Sequence, residues 1–445
     1  TKNKRPLPDT TIPKYQKTIY VAQKDSEQTS TVINILNKNL KLKSDTARNA
    51  RELNIRGFCI QIFQQRLDSI LLDRKSALFK GYIGTFNLTL NNEFYYIVAQ
   101  LNEDEIKEGI NILFTEIERV KQNGFTPKEL EIEKEKEILF YEQAIKAKKT
   151  RSTDSIVAEY TRNFLENEYV IGIEDEYKLI KQLLPTISVS DLNKHFLNWF
   201  KFDDRIINIQ YPEKIENIIS KDELLNLESK IQKSKLSQFA SLVKDEPLLE
   251  KKLPGSKIIF TKNYPSINTR EFRLENGVRV FLKTTKNKEK SFSFEGTSMG
   301  GYSHANLTNL PSAKFTEDLI SESGLGDFSR VELNNKVDPS FADVEVWIEP
   351  FKEGLQGEAI TKYTKELFEL IYLNFTSVNF NEIGFENAKS LLREKIKNEN
   401  LDPSKVFSKR INHAYYKDHP RRSPWNLDLI DQIKLDKINN FYMDR

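Results

Sequence analysis

Four histidines, His195, His304, His413 and His419, are the residues through which this chain could hold a catalytic metal. None stands in HExxH or HxxEH spacing, the two arrangements that bring a pair of imidazoles and a carboxylate to one face of a helix around zinc. A histidine zinc site within the chain would need distant partners. His413 and His419 fall on opposed sides of a helix turning ~100° per residue, and with Pro420 following they read as surface or capping residues. His195, on an aromatic-rich helix face, reads as a packing histidine with its polar atoms satisfied. The single cysteine, Cys59, follows Phe58 in an apolar-rich helical stretch and reads as a buried, inert thiol. It also excludes an internal disulfide framework and a four-cysteine zinc site. No GxSxG nucleophile elbow is present. Gly296-Thr-Ser-Met-Gly-Gly301 has the glycine content of a phosphate loop but neither its Gly-Lys-Ser/Thr ending nor its βαβ context, so a tight turn or close-packed strand end is expected. Glu129–Glu137 (ELEIEKEKE) offers paired carboxylates, and the alternation of Glu with Lys reads as a solvated helix face.

Composition narrows the classes further. At roughly 150 residues per domain, 445 residues imply two or three domains. Lys+Arg 68 against Asp+Glu 65 leaves a net +3, which provides no electrostatic footprint for nucleic acid or an anionic membrane. Hydrophobic residues at 38% and aromatics at 11% describe a folded chain, and no apolar run approaches the ~20 residues of a membrane span, so no membrane insertion is expected. The opening Thr1-Lys-Asn-Lys-Arg-Pro-Leu-Pro has no initiator Met and no apolar signal core, so residue 1 is expected to be a cut inside a longer protein.

The elements that would position any site follow from periodicity. Thr18–Ala22 and Ser30–Leu36 alternate as strands, and Asp45–Asp73 reads as a long helix interrupted at Gly57-Phe58. Strands are expected at Lys80–Leu90 (KGYIGTFNLTL) and Glu93–Leu101, then a helix over Glu103–Asn123 stopped by Gly124. Thr126, Pro127 and Glu129 form a capping-box start for a helix to about Lys148. Further helices are expected over Thr153–Glu166, Glu174–Leu184 and Ser188–Trp199, the last capped by Ser190-Asp191, before a strand at Arg205–Tyr211.

The same order recurs about 250 residues on. Leu113-Phe114 matches Leu367-Phe368, Phe125 matches Phe380, Leu179-Ile180-x-Gln182 matches Leu429-Ile430-x-Gln432, and Asp191-Leu-Asn-Lys-His-Phe196 matches Asp436-Lys-Ile-Asn-Asn-Phe441. The pattern implies an α+β fold of two similar domains, each an antiparallel-dominated sheet with helices packed on one face. Between them Glu228–Lys257, with Pro247 and Pro254-Gly255, reads as an extended linker. The second copy opens with strands around an Asn276-Gly277 hairpin turn.

Leu274-x-Asn-Gly-Val-x-Val280, the glycine-bearing strand end that follows and the helix around Leu310–Ile320 resemble the opening of a domain of the pitrilysin/insulysin family of zinc metallopeptidases, the inverzincins. Gly124-Phe-Thr-Pro-Lys-Glu-Leu130 between two helices is similarly typical of that family. Its members carry four similar α+β domains in two halves around a chamber, and the first domain holds HxxEH. The resemblance implies that residues 1–228 are a non-catalytic second-type domain, 229–257 the linker and 258–445 a third-type domain. The segment aligned with HxxEH reads Lys314-Phe-Thr-Glu317-Asp318, so the glutamate position is kept while Lys and Asp replace both imidazoles. An ammonium repels a dication, so no zinc is expected there.

The resemblance implies no cofactor in this chain and zinc in a missing first domain of the parent. The chain alone is then inactive, and the parent is a peptide-bond hydrolase. Expected partners are a peptide substrate and the remaining domains of the parent, with no nucleic acid. The expected compartment is periplasmic or otherwise exported. An alternative parent is a non-catalytic structural or assembly subunit related to the processing peptidases. The resemblance also places a peptide anchor on Gly81, Tyr82, Ile83, Gly84, Thr85 and Phe86. Glycines reduce bulk beside an edge strand, so an extended peptide can add its main chain there. Alternatively, Gly81 and Gly84 relieve crowding or mark a bulge inside an ordinary sheet.

Overall fold

The computed structural model describes residues 9–445 except 29, 73–76, 167, 202–203, 241–243, 245, 286–290, 338–341 and 418. The sequence start and Asp73, at the end of the expected first helix, lie outside the described residues. Among the described residues no helix is long and apolar enough to cross a membrane.

In the first unit β1 (Thr18–Asp25) and β2 (Thr31–Leu40) precede α1 (Ala47–Leu72), which leads to β3 (Leu78–Asn87) and β4 (Asn92–Leu101). Helices α2 (Ile106–Asn123), α3 (Pro127–Lys146), α4 (Thr153–Glu166), α5 (Ile173–Leu183) and α6 (Val189–Trp199) follow, then β5 (Arg205–Pro212) and α7 (Lys221–Lys233). The five strands form one sheet in the order β1-β5-β2-β4-β3. Only β1 and β5 run parallel; β2, β4 and β3 pair antiparallel with their neighbours. Alternate residues Ile33, Ile35, Ile83, Ile97, Ile207 and Ile209 meet Phe63, Leu67, Leu113 and Phe196 of the helices in one continuous core. The opposite alternation leaves the other face open around Tyr82 and Phe86.

Several local expectations are corrected. Helix α1 runs unbroken through Gly57, because a single glycine costs only ~1 kcal/mol and Ile55 before it and Phe58, Cys59 and Ile62 after it are anchored in the core. Strand β3 stops at Asn87, and Leu88 and Leu90 sit in the hairpin, where the Leu88 and Thr89 amides donate to the Asn92 carbonyl. The cap of α6 is Ser188, which closes a capping box with Asp191, two residues before the expected serine. Thr126 and Glu129 close the expected box on α3. Glu228 is helical and not extended: it lies in α7 and is buried in a bidentate pair with Arg205 at 2.6 and 2.8 Å.

The second unit holds a three-stranded sheet of β6 (Ile258–Tyr264), β7 (Thr269–Leu274) and β8 (Arg279–Lys283). The β7–β8 turn contains Gly277 at φ 89°, as the Asn-Gly signal requires. Then come β9 (Ser291–Met299), α8 (Leu310–Ser321), β10 (Gly324–Leu325), α9 (Arg330–Val337), β11 (Asp343–Ile348) and β12 (Lys352–Ile360). After these lie α10 (Thr364–Thr376), β13 (Val378–Asn379), α11 (Glu382–Glu399), α12 (Pro403–Tyr416), α13 (Leu427–Asp431) and α14 (Leu435–Met443). A second sheet has the order β11-β12-β9, and β10 pairs with β13. Gly296–Gly301 forms the end of β9 and the turn beyond it, with Gly301 at φ 61°.

Candidate functional site

Strand β3 lies at the edge of the first sheet, and its outer side pairs with no strand among the described residues. The cross-strand partners Gly84↔Tyr96, Thr85↔Tyr95 and Phe86↔Phe94 fix its register on β4. Antiparallel alternation turns the main-chain groups of Gly81, Ile83 and Thr85 outward and those of Tyr82, Gly84 and Phe86 toward β4. Side chains alternate the other way. Gly81 faces α1, where an added Cβ would meet Leu67 Cδ1 at 3.6 Å, while Gly84 lies on the open face under Tyr96. All six residues expected to form the anchor, Gly81 to Phe86, therefore share one unpaired sheet edge. Exposed Tyr82 and Phe86 provide an aromatic margin on the open face, the Phe86 ring lying 5.4 Å from Phe94 and 5.9 Å from Tyr96 between centroids.

The two glycines differ in what they do. A Cβ on Gly84 would stand 2.7 Å from Tyr96 Oη and 2.8 Å from Cζ, so this glycine makes the space into which the Tyr96 ring folds. Gly81 has ordinary contact distance to spare. Neither glycine marks a bulge: the register on β4 is continuous from Lys80 to Asn87, and the one shift falls between Leu78 and Lys80.

The helix preceding the edge strand also reaches it. Gln64 of α1 donates from Nε2 to the Gly81 carbonyl at 2.9 Å and accepts from the Ile83 amide at 3.1 Å. Sequence reasoning missed Gln64, one polar residue among several on a long helix, because nothing in its spacing distinguishes a side chain that reaches a strand edge from one in water.

Lys314, Glu317 and Asp318 share helix α8 but have separate partners. Lys314 donates to the Ser423 carbonyl at 3.1 Å with its ammonium 4.9 Å from the Trp425 ring centre, and burial lowers its pKa. Glu317 Oε2 accepts the Ile348 amide of β11 at 2.7 Å. Desolvation raises the pKa of Glu317 above the ordinary carboxylate value, against the lowering effect of that hydrogen bond. Desolvation also raises Asp318, partly offset by Lys395. These residues do not fit zinc: one is a cation, the glutamate oxygen is engaged by main chain, and no imidazole joins them. Among the described residues no group of three or more His, Cys, Asp and Glu side chains is arranged to hold a metal.

Two further side chains depart from expectation. His195 is packed between Tyr95 and Trp199, yet its Nε2 is buried without a hydrogen-bond partner among the described residues, so within them it is not the satisfied histidine expected. Burial, assisted by Arg56, lowers its pKa to about 4. Nor is the Glu129–Glu137 stretch simply solvated. Glu129 takes a bidentate pair from Arg66 at 2.8 and 2.9 Å, and buried Glu133 accepts from Gln65 and Lys136. Cys59 is fully buried, and desolvation pushes its thiol well above the ordinary value, as an inert thiol requires.

Residues 2–137 match the family description "Peptidase M16 inactive domain". Among curated proteins the chain is 25% identical over 308 residues to the zinc protease PQQL-like of Arabidopsis thaliana, covering 67% of this chain and 29% of that one. It is 20% identical over 364 residues to the probable zinc protease PqqL of Escherichia coli, covering 81% of this chain and 39% of that one. These matches support the M16 peptidase family, through its inactive domain. The match is to the inactive M16 domain, and the chain spans well under two thirds of the length of these curated relatives. Solved M16-like structures share the fold. The periplasmic protease PqqL of Escherichia coli superposes with a TM-score of 0.50 at 17% identity, over 99% of this chain and 48% of that one. The ferredoxin protease FusC, in complex with Arabidopsis ferredoxin, does so with a TM-score of 0.61 at 15% identity, over 98% and 50%.

Proposed function

We propose that this chain is the non-catalytic central portion of a zinc metalloendopeptidase, supplying chamber wall and a surface that holds peptide substrate in extended form. Residues 1–228 are assigned as the second-type domain, 229–257 as the linker and 258–445 as the third-type domain of that enzyme. Zinc, the general-base glutamate and the activated water belong to another domain of the parent. The parent is exported to the periplasm, a reading supported by the periplasmic relative from Escherichia coli.

The observation that carries this reading is the outer edge of β3, which ends the sheet with outward main-chain groups at Gly81, Ile83 and Thr85 beside exposed Tyr82 and Phe86. Such an edge adds an extended peptide through main-chain hydrogen bonds, which supply the affinity. The test replaces an outward amide. Thr85→Pro removes one N–H on the unpaired side and leaves the ladder to β4, since edge strands tolerate proline there. Binding of a fluorescent unstructured peptide, followed by anisotropy, is expected to weaken at least tenfold while circular dichroism is unchanged. Equal binding to a folded variant would return β3 to scaffold. Metal analysis after dialysis and a fluorogenic peptide assay complete the test: the reading requires substoichiometric zinc and no turnover, and one equivalent of metal with chelator-sensitive cleavage would refute it.

A further inference from the structure

Gln64 meets β3 as one position of a neighbouring strand would. Its carboxamide engages the Gly81 carbonyl and the Ile83 amide, the pair of outward groups that flank Tyr82 and that any added strand centred opposite Tyr82 must use. The same Nε2 donates to Asp68 Oδ1 at 2.8 Å. A carboxylate offers only acceptors, so this bond sets which end of the amide faces Gly81.

Building on the proposed peptide-holding role of β3, we infer that Gln64 stands in for a peptide main chain, marks the register at which the peptide docks, and is displaced when it binds. The peptide residue opposite Tyr82 then lies on the open aromatic face beside Tyr82 and Phe86 and is apolar. Its two neighbours point toward α1, where exposed Asp68 favours a basic side chain. The ligand class is an extended peptide alternating apolar and basic residues. Free Gln64 competes with this ligand for two hydrogen bonds, so its removal raises affinity.

The probe is a synthetic peptide alternating phenylalanine and lysine, titrated against the whole chain by anisotropy, with a scrambled-order peptide as control. Gln64→Ala and the near-isosteric Gln64→Leu are each expected to bind the alternating peptide roughly tenfold more tightly than the wild type, about the worth of one net hydrogen bond. Both are expected to prefer it over the scrambled control. Unchanged or weaker binding by both folded variants overturns the role of Gln64. So does self-association of the variants, seen by sedimentation, without tighter peptide binding, since Gln64 would then only guard an edge. Thr85→Pro separates the two levels. Binding that Thr85→Pro abolishes but Gln64→Ala leaves unchanged keeps the edge site and removes Gln64 from it, whereas binding indifferent to Thr85→Pro removes the edge site itself.

Discussion

The two units solve the same sheet edge with different chemistry. In the first, Gln64 of α1 both donates to and accepts from β3; in the second, Glu317 of α8 accepts the Ile348 amide of β11 and has nothing to donate. A neutral carboxamide can leave a strand edge without exposing a charge, and the main chain of a peptide replaces both of its bonds. The β11 edge also carries Asp343 and Glu345, charges that discourage strand addition. Glu317 thus serves a sheet edge here.

A second contrast lies at the other side of each sheet. Strands β9, β12 and β11 repeat the order of β2, β4 and β3. In the first unit β5 lies beside β2 and joins β1, and β2 is buried at alternate residues. Among the described residues no strand takes the corresponding place beside β9, whose residues are mostly exposed. The first core is accordingly one continuous cluster, while that of the second unit divides into one around α10 and β12 and another around α8 and α11.

If the units hold together by different means, substitutions should act on one at a time. The largest effect is expected from Arg66→Ala. Arg66 is 1% exposed, pairs with Glu129 and Glu116, and lies under Phe239, so its loss takes this cation from Glu129 and leaves buried Glu116 with Arg119 alone. A cost of about 3–5 kcal/mol confined to the first unit is expected in urea denaturation followed by unit-resolved hydrogen exchange.

Next in size is a pH effect. His195 titrates near 4 in the folded chain against about 6.5 unfolded, so its contribution is fully present above pH 6.5 and is lost as pH falls toward 4. At ~1.4 kcal/mol per unit this amounts to roughly 2–3 kcal/mol across the window. His195→Phe should flatten that part of the stability profile of the first unit, and an unchanged slope between pH 7 and 4.5 would contradict the burial of a neutral imidazole. The sequence repeat aligns Asn440, which does not titrate, with His195, so no such histidine slope is expected from that position.

The smallest effects distinguish the glycines. Gly84→Ala must shift the Tyr96 ring and should cost about 1 kcal/mol, whereas Gly81→Ala meets only ordinary contacts and should stay within about 0.5 kcal/mol. Thermal melts of the two variants measure this difference, and equal losses would remove the distinction between them.

Much of this architecture was legible because it is local. The capping box at Thr126, the Asn276-Gly277 turn and the alternation of β2, β4 and β5 each write a short-range physical preference into adjacent residues. Where tertiary contacts decide, sequence pattern misleads: Gly57 does not break α1, Glu228 is buried in α7 against Arg205, and buried Glu133 is not part of a solvated face. The edge position of β3 follows from strand order, which periodicity does not encode. The anchor residues were placed by family resemblance, and Gln64 emerged only with the contact between α1 and β3.

Hydrogen–deuterium exchange of the whole chain, with and without a saturating unstructured peptide, tests the central claim most directly. A peptide adding to the edge must pair the outward amides, so protection is expected to rise within Gly81–Phe86 and to stay unchanged along β11. Saturated binding that leaves Gly81–Phe86 exchanging as in the free chain would contradict it.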